Sequence, residues 1–170
     1  MEQTAAPSRP ELTTAEAFSR WVEPHWDAMA RLAGRSGTDP DDILQDALLA
    51  AWRKRDQFDP DRGPARTWLL AITADQRRRA WRRAVRLLPW TVADPPDPSS
   101  LGEGRSHAVD LRRALRRLPE QQALAVDLHY YLDLGIADVA AVMRCPEGTV
   151  KSLLSRARGR LRGILGEDYR

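Results

Sequence analysis

Apolar positions recur at helical spacing along most of the chain. From Thr14, residues Phe18, Trp21, Val22, Trp26, Met29, Leu32 and Ala33 fall on one stripe of a helix, with Pro24 placed to kink it. Gly34 to Thr38 reads as a turn. Asp39 followed by Pro40 reads as an N-cap and first helical position. The helix after it carries Ile43, Leu44, Ala47, Leu48, Ala51 and Trp52 on one face and ends near Arg55. Pro60, Gly63 and Pro64 make Gln57 to Pro64 a loop. A helix then runs from about Ala65 to Leu87, apolar early and rich in arginine late. Pro89 to His107 is dense in Pro, Ser and Gly and reads as a flexible linker. Four helices follow, over about 107–118, 120–132, 136–143 and 147–165. No useful length alternates with period two, so the pattern predicts an all-α protein. It divides into a disordered lead-in (1–13), a helical domain (14–88), a linker (89–106) and a second helical domain (107–167). Each domain is small enough to gain stability from partners.

Composition narrows the function classes. The 170 residues include one cysteine, which excludes an intramolecular disulfide and a paired-cysteine zinc site. His25, His107 and His129 lack metal-ligand spacing. No run approaches the roughly 18 apolar residues of a membrane span, and the polar N-terminus lacks a secretory signal core. A reducing cytoplasm is the expectation. The net charge is only +3, but it is unevenly placed. Thr38 to Asp61 holds seven acids against three bases, a net of −4. Arg62 to Arg86 holds eight bases against Asp75 alone, a net of +7, and Arg144 to Arg162 holds six against Glu147, a net of +5. Two basic helices in two domains can grip one polyanion at two places. The bases are arginine except for Lys54 and Lys151. That fits a GC-rich genome, and it also supplies planar forks for phosphates and guanine edges.

The C-terminal pattern is the most informative. A short helix bearing Val139, Ala140 and Val142 meets a corner, Arg144-Cys145-Pro146-Glu147-Gly148. A long helix follows with Val150, Leu154, Ala157, Leu161 and Leu165 on its buried stripe. This is a helix-turn-helix pattern. Its second helix turns Thr149, Lys151, Ser152, Ser155, Arg156 and Arg158 outward. Small hydroxyls allow close approach to DNA, and Lys and Arg reach base edges or phosphates. An arginine-laced solvated face gives the same pattern.

Two blocks carry a family resemblance. Leu115-Arg116-Arg117-Leu118-Pro119 with Gln122, then Pro146 to Ser152 and Arg156-Ala157-Arg158, resembles region four of the extracytoplasmic-function sigma factors of bacterial RNA polymerase. Asp42-Ile43-Leu44-Gln45-Asp46, Ala51-Trp52-Arg53, Phe58-Asp59-Pro60, Arg62-Gly63 and Arg66 to Ile72 resembles region two. Order and spacing match from Phe18 to Leu165, and the linker sits where this family lacks region three. The resemblance implies a sigma factor without an active site, cofactor or metal. It would bind the polymerase core at the largest-subunit clamp helices and the second-largest-subunit flap, and promoter DNA through both domains. An anti-sigma factor is the family's usual inhibitor.

Carried onto this chain, the resemblance implies core-polymerase contacts at Asp42, Leu44, Gln45, Asp46, Leu49 and Arg53. It implies −10 contacts at Phe58, Asp59, Arg62, Arg66, Asp75, Arg77, Arg78 and Arg82, and −35 contacts at Thr149, Lys151, Ser152, Ser155, Arg156 and Arg158. Trp68 reads as core, and Trp81, set among arginines, as a contact for DNA or polymerase or as plain surface. Four positions depart from the family pattern. Asp75 stands where asparagine is usual; as an acceptor it would favour a cytosine or adenine amino group, or else it simply balances arginines. Gly135 weakens a helix cap. Arg144 replaces a turn glycine. Leu153 replaces an arginine and removes a phosphate contact. Cys145 reads as a small packing residue. A stand-alone helix-turn-helix regulator is the competing reading. It needs a dimer interface or effector pocket, and it leaves the region-two block unexplained.

Overall fold

The computed structural model describes residues 12–35, 39–87, 111 and 114–165. The expected lead-in lies outside them except for its last two residues, and the expected linker lies outside them entirely. All regular structure among the described residues is helical.

The N-terminal domain is built from α1 (Ala15–Val22), α2 (Trp26–Gly34), α3 (Pro40–Lys54) and α4 (Ala65–Leu87). Thr14 caps α1, its hydroxyl accepting from the Ala17 amide. Pro24 lies in a 3₁₀ turn, Glu23–His25, that separates α1 from α2, so the expected kink is a break in the helix. Asp39 caps α3 through a bond from the Asp41 amide at 3.0 Å, with Pro40 at the first position as predicted. Met29, Leu32, Ala33, Ile43, Ala47, Ala51, Leu69, Leu70 and Ile72 form the core where α2, α3 and α4 meet. An aromatic cluster closes one end: Phe18 lies against Trp21 and Trp52, and Trp21 against Phe58 and Trp68.

The C-terminal domain contains α5 (Glu120–Val126), a π-helical turn (Asp127–Tyr131), α6 (Ile136–Met143) and α7 (Glu147–Leu165). The Leu132 amide reaches back to the Asp127 carbonyl, and the Leu134 amide to Leu128. Both bonds reverse the chain toward α6. Arg144 ends α6 in the left-handed region at φ 54° and ψ 48°. That is the conformation in which a β-carbon is crowded and glycine is usual.

The two domains pack together, which the reading of two bodies on a tether did not anticipate. Their buried apolar side chains form one continuous cluster, and α4 lies against α5 and α6. Charges cross the seam. Arg77 on α4 is 1 % exposed. Its Nη1 donates to Asp127 Oδ2 at 2.6 Å, and its Nε lies 3.1 Å from Glu120 Oε1. The second contact misses hydrogen-bond geometry, so it is an attraction of charges without a directed bond. Arg35 Nε donates to Asp127 Oδ1 at 2.8 Å and its guanidinium lies over the Tyr131 ring. Arg66 donates to the Leu132 carbonyl at 3.2 Å. Asp75 joins Arg78 on its own helix and Arg144 across the seam.

Two outcomes follow for stability. Releasing left-handed helix-end strain at Arg144 is worth about 1–2 kcal/mol, whereas its exposed ion pair with Asp75 is worth roughly 0–1 kcal/mol. Arg144→Gly is therefore expected to raise stability by about 1 kcal/mol in denaturant unfolding. Burial raises the Glu120 carboxyl above the ordinary carboxylate range, and Arg77 opposes this only in part. The folded protein thus holds this proton at pH values where the unfolded chain has lost it. Stability from this group is present below the ordinary glutamate range and declines as pH rises through the raised value. Glu120→Gln is expected to remove that decline when wild type and variant are unfolded across a pH series.

Candidate polymerase and nucleic-acid interfaces

The α3 surface forms as expected in most of its parts. Asp42, Gln45, Leu49 and Arg53 are exposed, and Asp46 is half-exposed within 3.4 Å of Arg83 on α4. Leu49 is 48 % exposed and continues into an apolar surface with Leu48, Trp26 and Trp52, which is more informative than one exposed leucine. Leu44 corrects the expectation. It is 8 % exposed and belongs to the core, because α3 packs against both α2 and α4 and its buried arc is wider than one stripe. Beside this surface lies an apolar cleft of about 600 Å³, lined by Phe18, Val22, Trp26, Leu48, Leu49 and Trp52 among others. Trp26, expected in the core, stands 45 % exposed at this cleft.

The loop before α4 is ordered by its own acid. Asp59 caps a 3₁₀ turn, Pro60–Arg62, accepting from the Asp61 amide at 3.1 Å. Gly63 follows at φ 143°, where a side chain would be strained. Arg62 is exposed. Phe58 is not a surface residue: it is buried, with its ring 5.0 Å from Trp21 and 5.6 Å from Trp68. An apolar ring beside that cluster gains more by joining it than by standing in water. Trp68 packs against the core, as expected.

Along α4 the candidate DNA contacts divide. Arg82 is exposed and Arg78 half-buried against Asp75. Arg66 and Asp75 are partly covered by their bonds to the C-terminal domain. Arg77 is the clearest correction, since its guanidinium is enclosed between Asp127 and Glu120 rather than offered to solvent. A run of arginines on a long helix gives no sign of which one faces a neighbour. Asp127, Glu120 and Arg35 were missed by sequence reasoning. The available signal was an acid, Asp127, beside Leu124 and Leu128 on a buried stripe, where a charge requires a partner. Trp81 is 39 % exposed, close to Arg35, Arg77 and Arg116 around a small cleft at the seam.

In the helix-turn-helix, α6 enters a corner fixed by the Arg144 conformation and by the Cys145 amide bonding to the Ala140 carbonyl at 3.1 Å. Cys145 is half-buried against the core, as a packing residue would be. Gly135 supplies no side-chain cap to α6. The first turn of α7 starts with the Thr149 and Val150 amides bonded to Pro146. Val150, Leu154 and Ala157 then point inward, with Leu161 partly buried. Thr149, Lys151, Ser152, Ser155, Arg156 and Arg158 are all exposed, on the expected face. Ser152 bonds back to the Gly148 carbonyl, Lys151 lies 3.8 Å from Glu147, and Arg158 donates to the Tyr130 hydroxyl. Leu153 packs partly into the core, giving the departing residue an apolar use. Among the described residues no cluster of His, Cys, Asp and Glu is arranged to hold a metal ion, and no helix is long and apolar enough to cross a membrane.

Comparison with known proteins gives the same division of the chain. Residues 16–87 match sigma-70 region 2 and residues 108–161 match sigma-70 region 4. The ECF RNA polymerase sigma factor SigM of Mycobacterium tuberculosis is 37 % identical, over 81 % of this chain and 70 % of its own length. The ECF RNA polymerase sigma factor RpoE of Cereibacter sphaeroides is 29 % identical, over 91 % and 87 %. Among solved structures, CnrH in complex with the cytosolic domain of CnrY is 29 % identical with a TM-score of 0.65, over 90 % of both chains. RpoE of Bartonella quintana, solved in complex with the anti-sigma factor NepR, is 27 % identical with a TM-score of 0.69, over 90 % of this chain and 99 % of the other. With both regions in order and a helical architecture shared across nearly the whole chain, this protein belongs to the extracytoplasmic-function sigma factors of the sigma-70 family.

Proposed function

We propose that the chain joins core polymerase through the exposed face of α3, with Leu49 as the apolar anchor and Asp42, Gln45, Asp46 and Arg53 as its polar rim. This surface has the composition of a helix-docking site and meets the clamp helices of the largest subunit. The C-terminal domain sits near the flap of the second-largest subunit and lays α7 in the major groove of the −35 duplex. Lys151 and Arg156 reach base edges or phosphates there, while Thr149, Ser152, Ser155 and Arg158 fix the approach. Region two takes the melted −10 strand, using Arg62 and Arg82 on the backbone and Asp75 as an acceptor for an exocyclic amine. The protein works in the cytoplasm, catalyses no reaction itself and supplies promoter choice to the polymerase. One structural relative was solved with the cytosolic domain of CnrY and another with the anti-sigma factor NepR, and the apolar cleft beside α3 is the surface an anti-sigma partner would cover here.

The observation that carries this reading is the face of α7, where six polar residues stand outward on the second helix of the motif while its apolar stripe is buried. Reconstitution with core polymerase and run-off transcription from mapped promoters tests it. Lys151→Ala and Arg156→Ala are each expected to weaken −35-dependent transcription by about tenfold, the scale of one good base or phosphate contact. Leu49→Ala with Arg53→Ala is expected to reduce holoenzyme formation while leaving thermal unfolding near wild type. Asp75→Asn is expected to change the selected bases in a randomised −10 library. A chain that shifts duplex DNA alone and yields no transcript with core polymerase is a stand-alone regulator.

A further inference from the structure

The outward face of α7 belongs to the helix-turn-helix, yet a residue from outside that motif touches it. Arg158 Nη1 donates to the Tyr130 hydroxyl at 3.1 Å. Tyr130 belongs to the π-helical turn, 28 residues earlier and ahead of both helices of the motif. It is 55 % exposed, so the bond lies at the surface and not in the core. The phenol nevertheless stands on a fixed base. The His129 and Tyr130 rings meet edge to face with centroids 4.7 Å apart. His129 Nδ1 is bonded in turn to the Leu134 carbonyl at 2.8 Å, at the point where the chain has reversed toward α6.

Helix geometry says which kind of contact Arg158 makes. It follows Lys151 by seven residues, which is about two turns and roughly 10 Å further along α7. Both residues therefore stand on one flank of the helix, beside the buried stripe of Val150, Leu154 and Ala157. The first turns of a recognition helix enter the major groove, so a flanking residue two turns on faces the sugar-phosphate wall. A free arginine spreads over many rotamers, and fixing it on a phosphate costs entropy. The phenol oxygen takes a single guanidinium donor and leaves the others for a phosphate. The arginine is then oriented before DNA arrives, which lowers the cost of binding.

We propose that Tyr130 is a positioning residue for promoter binding, holding the Arg158 guanidinium toward a phosphate of the −35 duplex. It extends that interface from the helix-turn-helix to the turn before it. The inference rests on the assignment of α7 to the −35 duplex and adds a residue that acts through another. Contacts to the DNA backbone carry no sequence information, so Tyr130 strengthens binding to every −35 sequence alike.

The test uses holoenzyme reconstituted from the full chain and core polymerase. It is titrated over a salt series onto a fluorescent duplex carrying the −35 element of a mapped promoter and no −10 element. Arg158→Ala is expected to weaken binding and to reduce the salt slope by about one. Tyr130→Phe keeps the ring and loses only the hydroxyl. It is expected to weaken binding about threefold, the scale of one hydrogen bond, and to reduce the salt slope in the same direction although it removes no charge. Tyr130→Phe combined with Arg158→Ala is expected to bind no worse than Arg158→Ala alone. A merely structural tyrosine leaves the slope unchanged, and a tyrosine that contacts DNA on its own adds its loss to that of Arg158→Ala; either result overturns the proposal. A Tyr130→Phe loss that differs between two −35 sequences overturns it as well. Lys151→Ala separates the two ideas. If it and Arg158→Ala both bind like wild type, the −35 assignment of α7 fails and takes the proposal with it. A loss with Lys151→Ala and none with Tyr130→Phe removes the positioning role alone.

Discussion

A guanidinium cannot shed its charge at any ordinary pH, so burying Arg77 obliges the fold to bring acid to it. Much of the domain arrangement answers to that requirement. Asp127 begins the π-helical turn that follows α5, and Glu120 begins α5 itself, so one short helix delivers both carboxylates to the same side. The turn then reverses the chain, and the Leu132 carbonyl reaches Arg66 one segment further on. A helix with a widened turn is uncommon and tends to occur where function demands a particular placement. Here it sits at the one point where both ends of the α5 segment face α4.

The same requirement sets how much a broken pair can cost. In a closed core, leaving one buried charge alone costs about 3–5 kcal/mol. At a seam between domains the charge has another recourse, because separation returns it to water. The penalty is then limited by the free energy holding the domains together. This places the charged contacts at the seam and the apolar side chains in different energetic classes. Met29, Leu32 and Ile43 have no hydrated alternative short of unfolding, whereas Arg77 and Asp127 do.

Local features were readable from the residues alone. The Asp39 cap, the span of α4, the limits of α6 and α7 and the outward face of α7 all follow from short-range chemistry, in which capping, spacing and proline act within a few residues. Arg144 was noticed as standing where a turn glycine is usual, and it is the residue that takes the left-handed conformation. The misreadings share a different origin. Leu44 is buried because two helices, not one, cover α3. Phe58 leaves its loop for an aromatic cluster assembled from α1, α3 and α4, and Trp26 remains outside the core because α1 and α2 are separate helices. Arg77 looks like its arginine neighbours until Asp127 arrives from 50 residues away. In each case the deciding partner is distant in sequence, and spacing within one helix carries no information about it.

Arg77 and Asp127 also belong to the same molecule, which fixes the kinetic order of their meeting. Closing is a first-order event, with a rate that does not contain the protein concentration. The share of molecules in which the pair is made does not depend on how many copies are present. That share responds to pH, through the Glu120 carboxyl beside Arg77, and to salt, which screens the charges. The contact is therefore set by the solution around the chain and not by how much of the chain is present.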